Sequence, residues 1–204
     1  MKFSDFIYFY PENPMLIHRD QQLLDHLSND PNAVAELKPN GSRCEIHLIN
    51  GNASYWTRHG TEFKYENFDY DMMTEELLKR FPERGYYLFD SEMRHNKVVG
   101  VKNQIMIFDC FIYNDLFLNR HDFQTRRSVL ESHFMNPDLS NEYLSLAQQW
   151  KTGFRELFES LEGDPEIEGI VIKLLTGMFD LGRVSGRESK WMYKARYETG
   201  RHKF

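Results

Sequence analysis

Lys38-Pro39-Asn40-Gly41-Ser42-Arg43 puts an amine and a guanidinium at the two ends of a glycine turn. A lysine in a turn is commonly no more than a surface residue. Here the residues before Lys38 and after Arg43 both read as strands, so the two cations are held together at the mouth of a sheet. A lysine beside other cations sheds its proton more readily and can act as a nucleophile. Near the other end of the chain, Lys194 and Arg196 stand two apart in a strand pattern and so project from one face. Residues 183–204 carry seven lysines and arginines (Arg183, Arg187, Lys190, Lys194, Arg196, Arg201 and Lys203) against Glu188 and Glu198. That local excess of +5, in a chain of net charge −6, reads either as a solvated basic tail or as a phosphate-binding strand.

Several elements must position these groups. Prolines at 11, 14 and 31 punctuate the start, with a short helix expected over 21–27. A short strand over 33–37 runs into the lysine turn. Residues 43–49 alternate polar and apolar, as a half-buried strand does. Asn50-Gly51-Asn52 is a hairpin signal with its return strand over 53–57. Further on, helices are expected over 71–80, 122–134 and 141–161, the last from the spacing of Leu144, Ala147, Phe154, Leu157, Phe158 and Leu161. Strands are expected over 86–93, 98–101, 104–113, 169–175 and 191–197. The whole is α+β, with antiparallel hairpins and two long late helices.

Composition narrows the class. Hydrophobic residues make up 41% and charged residues 27%, as in ordinary globular proteins. Cys44 and Cys110 make neither a disulfide framework nor, with His47 and His95, a metal ribbon, so a reducing cytoplasm is the expected compartment. No stretch approaches the roughly 20 apolar residues of a membrane helix, and no membrane partner is expected.

The lysine turn resembles the K-x-D-G-x-R nucleotidyl-acceptor motif of ATP-dependent DNA ligases, RNA ligases and mRNA capping enzymes. Five further elements follow in that superfamily's order: Thr57-Arg58-His59-Gly60, Phe89-Asp90-Ser91-Glu92-Met93, Ile107-Phe108-Asp109, Glu168-Gly169-Ile170-Val171-Ile172-Lys173 and Trp191-Met192-Tyr193-Lys194-Ala195-Arg196. Arg126-Arg127 before an apolar helix also fits the ligase pattern. The resemblance implies an ATP-grasp-like nucleotidyltransferase domain of antiparallel sheets flanked by helices. It implies that Lys38 attacks the α-phosphorus of ATP, with Lys194 and Arg196 on the α-phosphate. Glu168 would bind Mg²⁺ or Mn²⁺. Glu92 and Arg43 would meet the ribose, and Phe108 would stack on adenine. Glu36 and Lys173 would contact the base and phosphate ends respectively, and Arg58 would take the 5′-phosphate of a nucleic acid.

Two positions depart from the pattern, Asn40 for the usual Asp and Ser91 for the usual Gly. Only eight residues follow Arg196, where this superfamily carries an OB-fold domain. The expectation is a single nucleotidyltransferase domain over 1–204, with the OB-fold's contribution either dispensed with or supplied by a partner protein. The resemblance implies a ligase sealing 3′-hydroxyl and 5′-phosphate ends of nicked or broken nucleic acid, DNA before RNA, similar to viral or phage repair enzymes working in a host cytoplasm. An RNA ligase, a capping-type guanylyltransferase and a non-catalytic domain that binds nucleotides or nucleic-acid ends are the alternatives.

Overall fold

The structure, a computed structural model, describes residues 8, 10–17, 19–179 and 186–197. Arg183, Arg201 and Lys203, part of the basic stretch, lie outside them.

Two sheets carry the cavity between them. The first has strands β1 (Asn13–Leu16), β2 (Ala33–Pro39), β9 (Gln149–Trp150), β10 (Ile167–Leu174) and β11 (Glu188–Arg196), in the order β1-β11-β10-β2-β9. The second has β3 (Ser42–Ile49), β4 (Asn52–Thr57), β5 (Tyr86–Arg94), β6 (Gln104–Tyr113) and β7 (Leu116–Phe117) in the order β4-β3-β5-β6-β7, with β8 (Leu144–Leu146) beside β6. Pairing is antiparallel except at β1–β11 and β6–β8, two parallel pairs that the sequence did not announce. The helices are α1 (Gln21–Ser28), α2 (Tyr70–Leu78), α3 (Phe123–Phe134) and α4 (Phe154–Ser160). Asp20, Asp69 and Asp122 cap the first three by accepting from the backbone N–H three residues on, each cap contributing about 1 kcal/mol.

Period-two alternation divides the first sheet into two faces. Ala35, Ile170, Ile172 and Ala195 pack with Leu24 and Leu27 of α1 and with Phe154 and Phe158 of α4. The alternate residues, among them Glu36, Lys38, Lys173, Lys194 and Arg196, line the cavity. In the second sheet Cys44, Ile46, Leu48 and Phe89 join the larger core with Met73 and Leu77 of α2 and Phe123 and Leu130 of α3. The opposite side of β3, expected to be solvated, is buried as well: Glu45 and His47 are each 1% exposed. Burial, with Asp90 adding to it, pushes the Glu45 carboxyl up to about 9.

Two expected elements are absent among the described residues. Residues 141–161 do not form one helix but supply β8, β9 and the seven-residue α4, which begins after Gly153 at φ 70°. Their helical spacing is accidental, because Leu144 belongs to the larger core while Phe154 and Phe158 belong to the other. Residues 98–101 form turns rather than a strand, and Val99 is 94% exposed.

Candidate active site

The cavity floor is a set of cross-strand rows. Lys38 on β2 lies opposite Gly169 on β10, and Gly169 lies opposite Arg196 on β11. In the next row Glu36 lies opposite Val171, and Val171 opposite Lys194. Gly169 is required where it stands. It has φ 144°, and a Cβ there would come within 2.0 Å of the Ala195 carbonyl oxygen, so any side chain would force β10 and β11 apart. The second sheet contributes a facing row in which Arg43 lies opposite Glu92, and Glu92 opposite Met106. All ten residues singled out from the sequence (Glu36, Lys38, Arg43, Arg58, Glu92, Phe108, Glu168, Lys173, Lys194 and Arg196) line one cavity of about 580 Å³, a volume in the range of small-ligand sites.

Pairing within the cavity is specific. Lys38 Nζ donates to Glu168 Oε2 at 2.5 Å, and Arg196 Nη2 reaches the same oxygen at 3.0 Å. Lys173 is 2% exposed and pairs with Glu36 at 2.7 Å. It also donates to the Phe108 carbonyl oxygen at 3.0 Å and lies 4.8 Å from the Phe108 ring centre. Glu36 and Lys173 are therefore direct neighbours in the cavity lining. Gln149 Nε2 donates to the other oxygen of Glu36, Oε1, at 2.8 Å, and Arg127 Nη1 approaches the same oxygen at 3.7 Å.

Arg43 lines the cavity with most of its donors committed to the protein. Its Nε and Nη2 hold the two carboxylate oxygens of Asp90, and its Nη1 donates to the Glu12 carbonyl at 2.9 Å. The Glu12 side chain in turn accepts from the Trp191 indole at 3.0 Å. Trp191 is 6% exposed and anchors the chain, with its ring facing Arg126 at 5.3 Å. Arg126, fully buried, grips both oxygens of Asp109 at 2.8 Å, so the Arg-Arg and aromatic-Asp elements meet as a structural clamp beside Phe108. Arg58 is exposed in a turn closed by Thr57 and Thr61, where Gly60 takes φ 72°.

Two ionisable groups are displaced from their ordinary range. Burial pushes the half-buried Glu92 carboxyl up to about 7; Lys38 opposes this and Glu168 adds to it. Burial lowers the Lys194 ammonium, and the positive charges of Lys38 and Arg196 lower it further. Among the described residues no group of three or more His, Cys, Asp or Glu side chains is placed to hold a metal ion. A lone Glu168 is nevertheless compatible with Mg²⁺, which is commonly held by one or two carboxylates together with substrate phosphates.

Sequence reasoning missed three members of this neighbourhood. Asp90 was present in the Phe89–Met93 element, but its grip on Arg43 depends on the β3–β5 register. Gln149 carried no signal, because its segment read as a helix. Lys97 lines the cavity from the loop after β5, in the segment adjoining the expected 98–101 strand.

No protein-family model matches the chain, and no curated protein matches it. Solved structures do. Mycobacterial DNA ligase D complexed with ATP and MES superposes with a TM-score of 0.69 at 16% identity, over 97% of this chain and 62% of that one. The ligase domain of M. tuberculosis LigD gives 0.66 at 16% identity, over 96% and 61%. The ATP-dependent DNA ligase of bacteriophage T7, in complex with ATP, gives 0.54 at 15% identity, over 93% and 69%. The chain thus spans about three-fifths of the length of the first two. At these identities the likeness is one of architecture, and the chain has the fold of the nucleotidyltransferase domain of ATP-dependent DNA ligases.

Proposed function

We propose that this chain is an ATP-dependent polynucleotide ligase that works through a covalent Lys38–AMP intermediate, with nicked DNA as its substrate. The observation that carries the reading is the convergence of six separate sequence elements on one cavity, with Lys38 and Arg196 sharing Glu168 on its floor and Lys194 in the neighbouring row.

In the first step Lys38 Nζ bonds to the α-phosphorus of ATP and the bond from that phosphorus to the pyrophosphate oxygen breaks. The amine must shed a proton, and Glu168 Oε2 at 2.5 Å is placed to accept it. Lys194 and Arg196 neutralise the charge developing on the α-phosphate, the main contribution a protein makes to such a transfer. Glu168 with the nucleotide's phosphates would hold Mg²⁺ or Mn²⁺, which supplies further charge neutralisation. Phe108 offers a ring face to the base and Glu92 a carboxyl to the ribose. The Glu36 carboxylate keeps acceptor capacity beyond its bonds to Lys173 and Gln149 and its ion pair with Arg127. An acceptor suits the 6-amino group of adenine and opposes the 6-oxo group of guanine, which favours ATP over the GTP of a capping enzyme.

In the second step an oxygen of the strand's 5′-phosphate, held by Arg58, bonds to the AMP phosphorus as the bond to Lys38 breaks. In the third, the 3′-hydroxyl attacks the 5′-phosphate and AMP leaves. Incubation with ATP labelled at the α-phosphate tests the reading. Label should transfer to Lys38 and then to nicked DNA. Lys38→Ala should take none, and labelled GTP should give none. No transfer from ATP in the parent chain would leave a nucleotide- or end-binding domain as the better description.

A further inference from the structure

The cavity lining is more cationic than the first reaction step needs. Among the described residues, Lys38 and Arg196 share Glu168, Lys173 holds Glu36, and Arg43 holds Asp90. Three lining cations have no carboxylate partner there: Lys194, Arg58 and Lys97. Lys194 stands in the Glu36 row of the floor and is taken up by the α-phosphate. Arg58 follows β4 and Lys97 follows β5, both strands of the second sheet.

Register places those two at one rim. Thr57 at the end of β4 lies opposite Cys44, and Cys44 lies opposite Ser91 on β5. Arg58 and the loop after Arg94 therefore leave the sheet at the same end, the end at which Arg43 lies opposite Glu92, and Arg58 and Lys97 both line the cavity. The loop is anchored at its base. His95 is 3% exposed, stacks on Tyr65 with ring centres 6.1 Å apart and meets the Phe68 ring edge-on at 5.3 Å. Its Nδ1 accepts from Asn103 N at 3.2 Å, and its carbonyl accepts from Lys102 Nζ at 2.6 Å. Glu166, the acid beside Gly100, is held by Arg94 at 2.9 Å, so the loop's own neighbourhood leaves the Lys97 charge uncompensated. A fixed loop base with an exposed, unpaired ammonium over a phosphate-handling cavity is an arrangement suited to a second phosphate.

We propose that Lys97 binds the terminal 5′-phosphate of the nucleic-acid strand alongside Arg58, which makes residues 95–103 a strand-binding loop. This rests on the ligase reading and adds to it a contact that none of the six sequence elements contains. The charge is the working part, so Lys97→Arg should preserve it and Lys97→Ala should remove it.

Affinity for nicked duplex, bearing either a 5′-phosphate or a 5′-hydroxyl at the nick, is to be measured across a salt series for the full chain. Lys151→Ala, an exposed lysine outside the cavity, serves as the comparison. Expected for Lys97→Ala is a loss of several-fold or more on the phosphate duplex and a log–log salt slope lower by about one. A much smaller loss is expected on the hydroxyl duplex, with recovery in Lys97→Arg. Slope and affinity matching those of Lys151→Ala would overturn the proposal. So would an equal loss on both duplexes, which means a contact to the strand backbone. A raised KM for ATP in self-labelling with duplex affinity kept would also overturn it, because the phosphate would then be the nucleotide's. Should the parent chain take no label from ATP, the ligase reading fails by itself, and the comparison of the two duplexes still reports on Lys97.

Discussion

Gly41 lies directly against Glu92: a Cβ added at Gly41 would stand 2.7 Å from the Glu92 Cγ and 2.7 Å from the Met93 carbonyl oxygen. The glycine of the lysine turn is thus fixed by packing from the neighbouring strand as well as by the turn itself. The side chain it makes room for faces the cavity.

Gly41→Ala should accordingly push Glu92 and the β5 backbone away. Because a carbonyl as well as a flexible side chain blocks the space, the cost to stability should be about 1–3 kcal/mol, as for other overpacking changes. The KM for ATP in self-adenylylation should rise by more than the stability loss explains. Thermal unfolding and self-labelling at several ATP concentrations check both. An unchanged KM would mean that the position of Glu92 is immaterial to nucleotide binding.

Glu92 also predicts how stability varies with pH. Its carboxyl is raised to about 7 in the folded chain, above its ordinary value of 4.5. The folded state therefore holds this proton more tightly than the unfolded state. Below about 4.5 both states are protonated and there is no penalty. As pH climbs from there to about 7 the unfolded state ionises first, and stability falls by up to about 3 kcal/mol. Glu92→Gln should remove this loss. Melting temperatures of parent and variant should lie closest near pH 5 and separate towards pH 8, with the variant higher. Parallel curves across that range would contradict the assignment.

Lys194 should impose an alkaline limit on the first chemical step. Its ammonium is held below the ordinary lysine range, by burial first and by Lys38 and Arg196 second, so it loses its charge at a lower pH than a solvated lysine would. If that charge stabilises the α-phosphate, single-turnover labelling of Lys38 should decline as Lys194 deprotonates. Lys194→Arg should move the decline to higher pH, and Lys194→Ala should lower the rate by roughly 100-fold or more. A decline at the same pH in Lys194→Arg would assign it to another group.

Arg201 and Lys203, outside the described residues, add two positive charges near Arg196 in the sequence. The chain's net charge of −6 makes general attraction to nucleic acid poor, so local patches must carry it. Neutralising both should lower the salt slope of nick binding by up to about two, and self-labelling should fall far less than it does in Lys194→Ala. A slope equal to that of the parent would show that the strand is gripped elsewhere.

What the sequence made legible was local. Lys38 was recognisable because a turn follows a strand, and Lys194 with Arg196 because alternation on a strand assigns one face. The Asn50-Gly51 turn was of the same kind. Relations that depend on register were not legible. Lys173 pairs with Glu36 only because β10 lies antiparallel to β2 with Val171 opposite Glu36, and nothing local reports that. The 141–161 segment misled for a related reason: its apolar residues serve two cores, so their spacing imitates one helix face. Glu45 and His47 read as the solvated half of an alternating strand, because a sequence does not show what covers the second face of a sheet.

Glu12 touches both halves of this arrangement at once. Its carbonyl receives Arg43 from the second sheet, and its carboxylate receives Trp191 from the last strand of the first. One residue near the start of the chain is therefore a tie across the cleft, although it is not among the residues that line it. The width of the cleft depends on that tie in the way a span depends on a brace. Glu12→Ala would leave the cavity-lining residues unaltered and still loosen the spacing of the two walls. The early segment, which carries none of the six elements, thus helps to set the distance between the wall that carries Lys38 and the wall that carries Arg43 and Glu92.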